Sequence, residues 1–416
     1  MDLTNTNHAT SYVPEHRMWL AVVLGSLTAL APLSIDMYLP SLPSLARELH
    51  VSTSFAQLSL TFCLVGLALG QLLAGPLSDA LGRRRPLIAG LVVYTAASFL
   101  CATTSSIWIL IALRLIQGLA GSAGIVIARA VARDYFSGSE LTTFFARLML
   151  VNGAAPILAP VAGGQLLRVT TWHGVFVVLG ALGVLMVLAV VFGLPESLPS
   201  HKRSKGGLRN TLITLSKLVR HRTFLGYSLA QALVFAAMFG YISGSPFVLQ
   251  EIFGVSPQTF SVIFAVNGLG IILASQLSAR FSTRIGEAKV LVVGLGLAAL
   301  SSVVLFSMIW LGVGLFAVLP PLFLVVACVG IVGTTSTSLA MQSQGRSAGT
   351  AAALIGVVQM LMGAVATPLV GMGGSRTSMP MGVVIAVCDM CAILCYFLLV
   401  YRSGHLGAQE NSLTSR

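Results

Sequence analysis

Residues 195–222 read PESLPSHKRSKGGLRNTLITLSKLVRHR, the longest polar passage in a chain otherwise made of apolar runs. It falls close to the middle of the 416 residues. Six apolar runs precede it, at approximately 18–40, 55–75, 86–104, 107–129, 142–167 and 173–194. Six follow, at 224–248, 259–280, 288–310, 313–340, 349–372 and 380–401. About 20 apolar residues cross the roughly 30 Å hydrocarbon core of a bilayer as a helix. The passage therefore reads as a basic linker between two six-span halves, residues 18–194 and 223–402. Polar tails, 1–17 and 403–416, flank them.

Composition agrees. The chain is 56% hydrophobic and 9% charged, whereas soluble domains are about 25% charged. The first span is too long for the apolar region of a secretory signal and no small-residue cleavage site follows it, so it is expected to be retained. The net charge of +12 would suggest nucleic acid in a soluble protein, but here it records topology. Twenty lysines and arginines, among them Arg83, Arg84 and Arg85, fall on the side of the termini and linker. Only Arg47, Arg168 and Arg376 fall on the other. The positive-inside rule then places both termini in the cytoplasm, and no nucleic-acid partner is expected. Cys63, Cys101, Cys328, Cys388, Cys391 and Cys395 all lie in spans and read as packing residues, with no disulfide framework. Cys388, Cys391 and Cys395 share one helix face, as a metal site could use, yet lipid-embedded packing suffices to explain them.

The halves echo each other. ELHVSTSFAQLS from Glu48 resembles EIFGVSPQTFS from Glu251, and APVAGG at 159–164 resembles TPLVGMGG at 367–374. Short as they are, these echoes and the central linker favour two parallel repeats related by an axis along the membrane normal.

The polar residues inside the spans are few. Asp36 and Asp389 are the acids clearly within them, and Arg114 is the basic residue well inside. A charge at a helix centre costs about 2.5–3.5 kcal/mol on insertion scales, so such residues face a cavity or a partner. Asp36 lies four residues before Pro40, which reads as the end of the first span, about 6 Å below the outer surface. Arg114 lies eight residues after Ser106 on the inward-running fourth span, about 12 Å below the same surface. The two are close enough in depth to interact if the first and fourth helices are neighbours. One reading is a buried ion pair that orients two helices. The other is a carboxylate that alternates between a proton and a cation or substrate, since enclosure favours the protonated acid and a nearby arginine the ionised one. All seven histidines lie in tails, loops or span ends, which leaves carboxylates as the candidate proton carriers. Asp389, near mid-membrane on the last span, suits either an interhelical polar contact or a transport role.

Two backbone-rich motifs stand out. In GPLSDALGRRRP, residues 75–86, Gly75 and Gly82 permit close approach and a sharp turn, and Asp79 can pair with Arg83 across one helical turn. Pro86 suits the first turn of the next helix. A positive-inside signal would explain the arginines but not Asp79. In NGAAPILAPVAGG, residues 152–164, Gly153, Pro156, Pro160, Gly163 and Gly164 remove backbone hydrogen bonds and side-chain bulk. The result is a smooth, kinked helix serving either packing or a gating seam.

The segments LSIDMYLPSLP, GQLLAGPLSDALGRRRP, LRLIQGLAGSAG, ARDYF and PILAPVAGG resemble the bicyclomycin-resistance and chloramphenicol-efflux (Bcr/CflA) group of bacterial drug–proton antiporters, within the major facilitator superfamily. The resemblance implies twelve transmembrane helices in two pseudo-symmetric six-helix bundles in the inner membrane. It further implies a monomer among membrane lipids, with no cofactor, exporting varied small molecules in exchange for protons. Asp36 falls on the first-helix acid of such antiporters and Arg114 on their fourth-helix arginine. Asp79 and Arg83 fall on a cytoplasmic loop motif that latches one conformation, with Arg133 or Asp134 as partner. Gly153, Pro156, Pro160, Gly163 and Gly164 fall on the antiporter motif of the fifth helix. Some related exporters carry a second acid in the first helix, and this chain has Asp36 alone. The second-half loop SARFSTRIGEAK keeps Gly286 but lacks a matching acid. An exporter of small peptides or amino-acid derivatives is the alternative. A receptor or enzyme finds no soluble catalytic domain or metal-ligand cluster to rest on, and the absence of a GxxxxGK[ST] pattern argues against ATP as the energy source.

Overall fold

The computed structural model describes residues 17–203, 216, 218–219, 221–342, 348–374 and 376–401. Most of the linker, residues 1–16 of the expected N-terminal tail, Arg402 and the expected C-terminal tail lie outside the described residues, and Arg17 opens the first helix. Among the described residues every regular element is helical. Twelve helices are long and apolar enough to cross a membrane. They are α1 Arg17–Asp36, α2 Thr53–Leu81, α3 Arg84–Thr103, α4 Ile107–Tyr135, α5 Gly138–Leu166, α6 Trp172–Gly193, α7 Arg222–Phe247, α8 Pro257–Ile285, α9 Glu287–Trp310, α10 Leu315–Gln342, α11 Ala348–Gly371 and α12 Met379–Tyr396. This is a multi-pass membrane protein, with one helix for each apolar run.

The helices outlast their apolar runs where the hydrogen-bond ladder continues into polar sequence. The second run ends near residue 75 but α2 continues to Leu81, and α4 continues to Tyr135. The first span differs in the opposite sense. α1 ends at Asp36, not at Pro40, and a 3-10 turn at Leu39–Ser41 leads into a short helix, Leu42–Glu48. Asp36 is thus the last helical residue, at a place where carbonyls lose their ladder partners.

Within residues 17–193, α1 packs on α4, α5 and α6, α2 on α4, and α3 on α4 and α6. Each pair recurs with six added: α7 on α10, α11 and α12, α8 on α10, and α9 on α10 and α12. The halves meet through α2 against α11 and α5 against α8, again one pair repeated. Lipid offers no hydrophobic drive between helices, so close approach through small residues supplies the attraction. A Cβ added at Gly118 would sit 2.2 Å from the Cys63 carbonyl oxygen, and one at Gly330 2.2 Å from that of Ile271. Those two contacts are the same α4–α2 and α10–α8 crossing in each half.

Candidate functional site

Two ends of the bundle matter: the terminus end, where α1 begins and α6 leads into the linker, and the far end, where α1 and α5 finish. At the far end the halves are knitted together. Gln57 Nε2 of α2 donates to the Ser243 carbonyl of α7 at 2.9 Å, and Gln250 Nε2 donates to the Pro40 carbonyl at 3.1 Å. Across the α5–α8 contact, Gln258 Nε2 donates to the Gly164 carbonyl at 2.8 Å and Ser261 Oγ to the Pro160 carbonyl at 2.7 Å. A Cβ at Gly163 would lie 1.8 Å from the Met37 carbonyl oxygen, and one at Gly164 2.4 Å from Ser261 Oγ. The fifth-helix motif thus divides. Pro160 and Gly164 form the seam, Gly163 packs on the end of α1 within the first half, and at Gly153 the nearest atom to an added Cβ is Ile272 Cδ1 of α8 at an ordinary 3.6 Å. Pro156 lies within α5, a turn before Pro160, and the helix continues through both.

Asp36 sits beside this seam, 4% exposed, and its Oδ1 has no hydrogen-bond partner. Tyr241 of α7 is buried across the seam. Asn267 Nδ2 of α8 donates to the Tyr241 hydroxyl at 2.9 Å, and the Tyr241 ring stacks on Phe264 with centroids 5.6 Å apart.

α1 and α4 are neighbours, as the depth comparison requires, but Asp36 and Arg114 form no ion pair. Arg114 is fully enclosed. Its guanidinium lies over the Tyr38 ring, Cζ to centroid 4.6 Å, and over Phe176 of α6 at 5.6 Å. Arg114 Nη1 donates to Gln117 Oε1, and Gln117 Nε2 donates to Ser98 Oγ at 2.7 Å. Arg114 Nε and Nη2 are without partners. The cation is held by ring faces and a neutral amide, and one of those rings, Tyr38, stands two residues after Asp36 in the chain.

Asp389 of α12 is 1% exposed, and both carboxyl oxygens lack partners, with the Ser302 hydroxyl of α9 nearby. It lies inside the second half, away from the α2–α11 and α5–α8 contacts. The six cysteines are free thiols.

At the terminus end the loop motif is assembled around Arg83, which is 8% exposed. Its Nη1 donates to Asp79 Oδ1 and, at 2.9 Å, to Ser78 Oγ; its Nε donates to Asp134 Oδ2 at 3.0 Å. Of the two expected partners Asp134 is the one engaged, while Arg133 lies over the Phe145 ring at 5.9 Å. Gly82 has φ +92°, a conformation glycine adopts without strain. Gly75 needs no such allowance, since an added Cβ there would meet Val126 Cγ1 at 3.7 Å.

Sequence reasoning missed Glu196. Its Oε1 accepts from the Arg83 and Leu198 amides at 2.8 and 3.0 Å, and its Oε2 from the Arg84 amide at 3.2 Å. Partial burial works against its charge. The three amides and the Arg203 guanidinium outweigh that and hold the carboxyl below its ordinary range, so it stays ionised at neutral pH. Its being the linker's one acid was the available signal.

With this geometry in place, comparison with known proteins is informative. The Major Facilitator Superfamily profile matches residues 24–367. An uncharacterized MFS-type transporter of Bacillus subtilis, YdgK, is 42% identical over 92% of this chain and 96% of its own. The bicyclomycin resistance protein homolog of Haemophilus influenzae is 31% identical over 92% and 96%. Among solved structures, a bacterial homolog of the human lysosomal transporter Spinster superposes with TM-score 0.74 over 93% of this chain and 97% of its own. At 16% identity that likeness speaks to the fold alone. Twelve helices in two repeated sets of six, a profile over most of the chain and a bicyclomycin-resistance relative converge: the chain is a transporter of the Major Facilitator Superfamily and belongs to its bicyclomycin-resistance and chloramphenicol-efflux group.

Proposed function

We propose that this transporter exports drugs and other small amphipathic molecules in exchange for protons, by alternating access, in a bacterial inner membrane with both termini cytoplasmic. Asp36 carries the proposal. An unpaired carboxylate taken out of water costs several kcal/mol, so the closed far end favours a bound proton there, and opening that end to water favours its exchange. The histidines lie in tails, loops or span ends, His173 at the very start of α6, and so leave the role to a carboxylate. The aromatic surroundings, Tyr38, Tyr241 and Phe264, suit loose recognition of apolar and planar compounds over a hydrogen-bonded sugar. The excess of basic residues at the terminus end supports its cytoplasmic placement.

Export of ethidium from proteoliposomes under an imposed pH gradient tests this. Asp36→Asn should insert and bind ethidium but lose gradient-driven transport. Near wild-type antiport by that variant would remove Asp36 from coupling. Resistance of an exporter-deficient host to a drug panel, abolished by a protonophore, separates drug export from a dedicated metabolite exporter.

A further inference from the structure

We infer that Glu196 is a positioning residue of the loop motif: it caps α3 from the linker, and so fastens the start of the linker to the latch of the first half. The inference rests on the alternating-access reading for its consequence, but its geometry stands alone.

A helix begins with amides that have no partner within the helix. At α3 these fall at the N-cap Arg83 and at Arg84 and Arg85, because Pro86 has no amide hydrogen and the Leu87 amide already donates to the Arg83 carbonyl. No side chain at the N-cap residue, Arg83, fills the gap. Glu196, more than a hundred residues later, fills two of the three places by accepting from the Arg83 and Arg84 amides. A carboxylate at a helix N-terminus also meets the positive end of the helix dipole. The local sequence LPESLP explains how the acid is delivered. Leu194 and Leu198 are buried on either side, and prolines at 195 and 199 restrict the backbone between and after them. Glu196 and Ser197 are thereby turned toward the loop, where Ser197 Oγ donates to Asp134 Oδ2 at 2.7 Å, the oxygen that Arg83 Nε also uses. Gly82 leaves the necessary space, since a Cβ there would lie 2.5 Å from Glu196 Oε2.

The linker therefore does not begin as a free tether at residue 195. Its first turn moves with α2, α3 and α4, and it holds Arg83 between Asp79 and Asp134. Loss of the cap should let the loop motif wander and lower the rate of conformational exchange, while the substrate site, at the seam of the halves, is untouched.

Two measurements on the full-length protein test this, with Glu196→Ala, Glu196→Gln and the conservative Glu196→Asp. Hydrogen exchange of the peptide covering the start of α3 should quicken about tenfold in Glu196→Ala, as for loss of a helix cap, and recover in part in Glu196→Asp. Ethidium efflux from proteoliposomes should lose several-fold in kcat with KM unchanged, with the same order of rescue. Unchanged exchange would overturn the cap. Faster exchange with unchanged turnover, or a rise in KM in place of the fall in kcat, would overturn its link to the latch. If the wild type moves no ethidium, the proposed export is wrong while the exchange measurement still decides the cap. Glu196→Gln, which keeps size and one acceptor, serves if the alanine variant fails to fold.

Discussion

At the scale of the residue, Arg114 shows how a buried cation can do without an acid. Its planar guanidinium lies over Tyr38 and Phe176 while one edge donates to Gln117. Stacking on ring faces is worth up to about 2 kcal/mol when desolvated, and a lysine ammonium reproduces neither the plane nor the fork. Arg114→Lys should therefore lower proton-driven efflux by about tenfold or more, close to Arg114→Ala, whereas Tyr38→Phe should preserve most of it. Efflux of Arg114→Lys near the wild-type level would mean that only charge matters. Asp389 invites the opposite experiment. Both its oxygens are buried without partners, a cost of about 1–3 kcal/mol that an apolar residue of similar volume removes. Asp389→Leu should then raise the thermal midpoint in detergent by about 2–4 °C and leave transport intact. Lower transport together with higher stability would place Asp389 in coupling. Sequence reading found these two charges, as it found Asp36, because each interrupts an apolar run. It could not find Tyr38, Phe176 or Gln117 as the partners of Arg114, because an aromatic or a lone amide in a membrane span looks like any packing residue until helices are placed side by side.

At the scale of the element, the two sequence echoes have a physical meaning. ELHVSTSFAQLS opens α2 and packs against TPLVGMGG at the end of α11: a Cβ on Gly371 would lie 2.3 Å from Gln57 Oε1. EIFGVSPQTFS opens α8 and packs against APVAGG at the end of α5, where Gly164 meets Ser261. The echoed stretches are thus the two faces of one contact, built twice with the halves exchanged. The patterns were legible, but the crossed pairing was not, because a repeat reveals equivalence and only packing reveals adjacency. The glycines in α5 separate by depth along the helix. Gly163→Ala drives a methyl into the Met37 carbonyl, a backbone atom that cannot swing aside, and should push the end of α1 beside Asp36 off α5 and abolish most transport. Gly153→Ala should be tolerated, since its added methyl makes ordinary contact with Ile272. Efflux assays on the two variants at matched expression check both, and equal loss would contradict the division of the motif.

At the scale of the whole molecule, hydrogen bonds and glycine contacts close the far end, while at the terminus end, among the described residues, Arg83, Asp79, Asp134 and Glu196 bond within the first half and its linker. Under the proposed alternating access that asymmetry fits one station of a rocking cycle: the seam would break for the far end to open, and the loop motif would then find new neighbours. The seam can be fixed chemically. A Cβ on Gly164 would fall 3.2 Å from Ser261 Cβ, and disulfides form at Cβ separations of about 3.5–4.5 Å, within a small adjustment of that distance. Gly164→Cys combined with Ser261→Cys should cross-link on mild oxidation and hold the far end shut. Oxidised protein should still bind ethidium from the terminus side yet transport none, and reduction should restore at least the activity of the unoxidised double variant. Each single cysteine variant, oxidised in parallel, controls for the six native thiols and for bulk at Gly164. Full transport by a demonstrably cross-linked protein would mean that the far end never opens at this seam, and a mechanism in which Asp36 meets water there would fall with it.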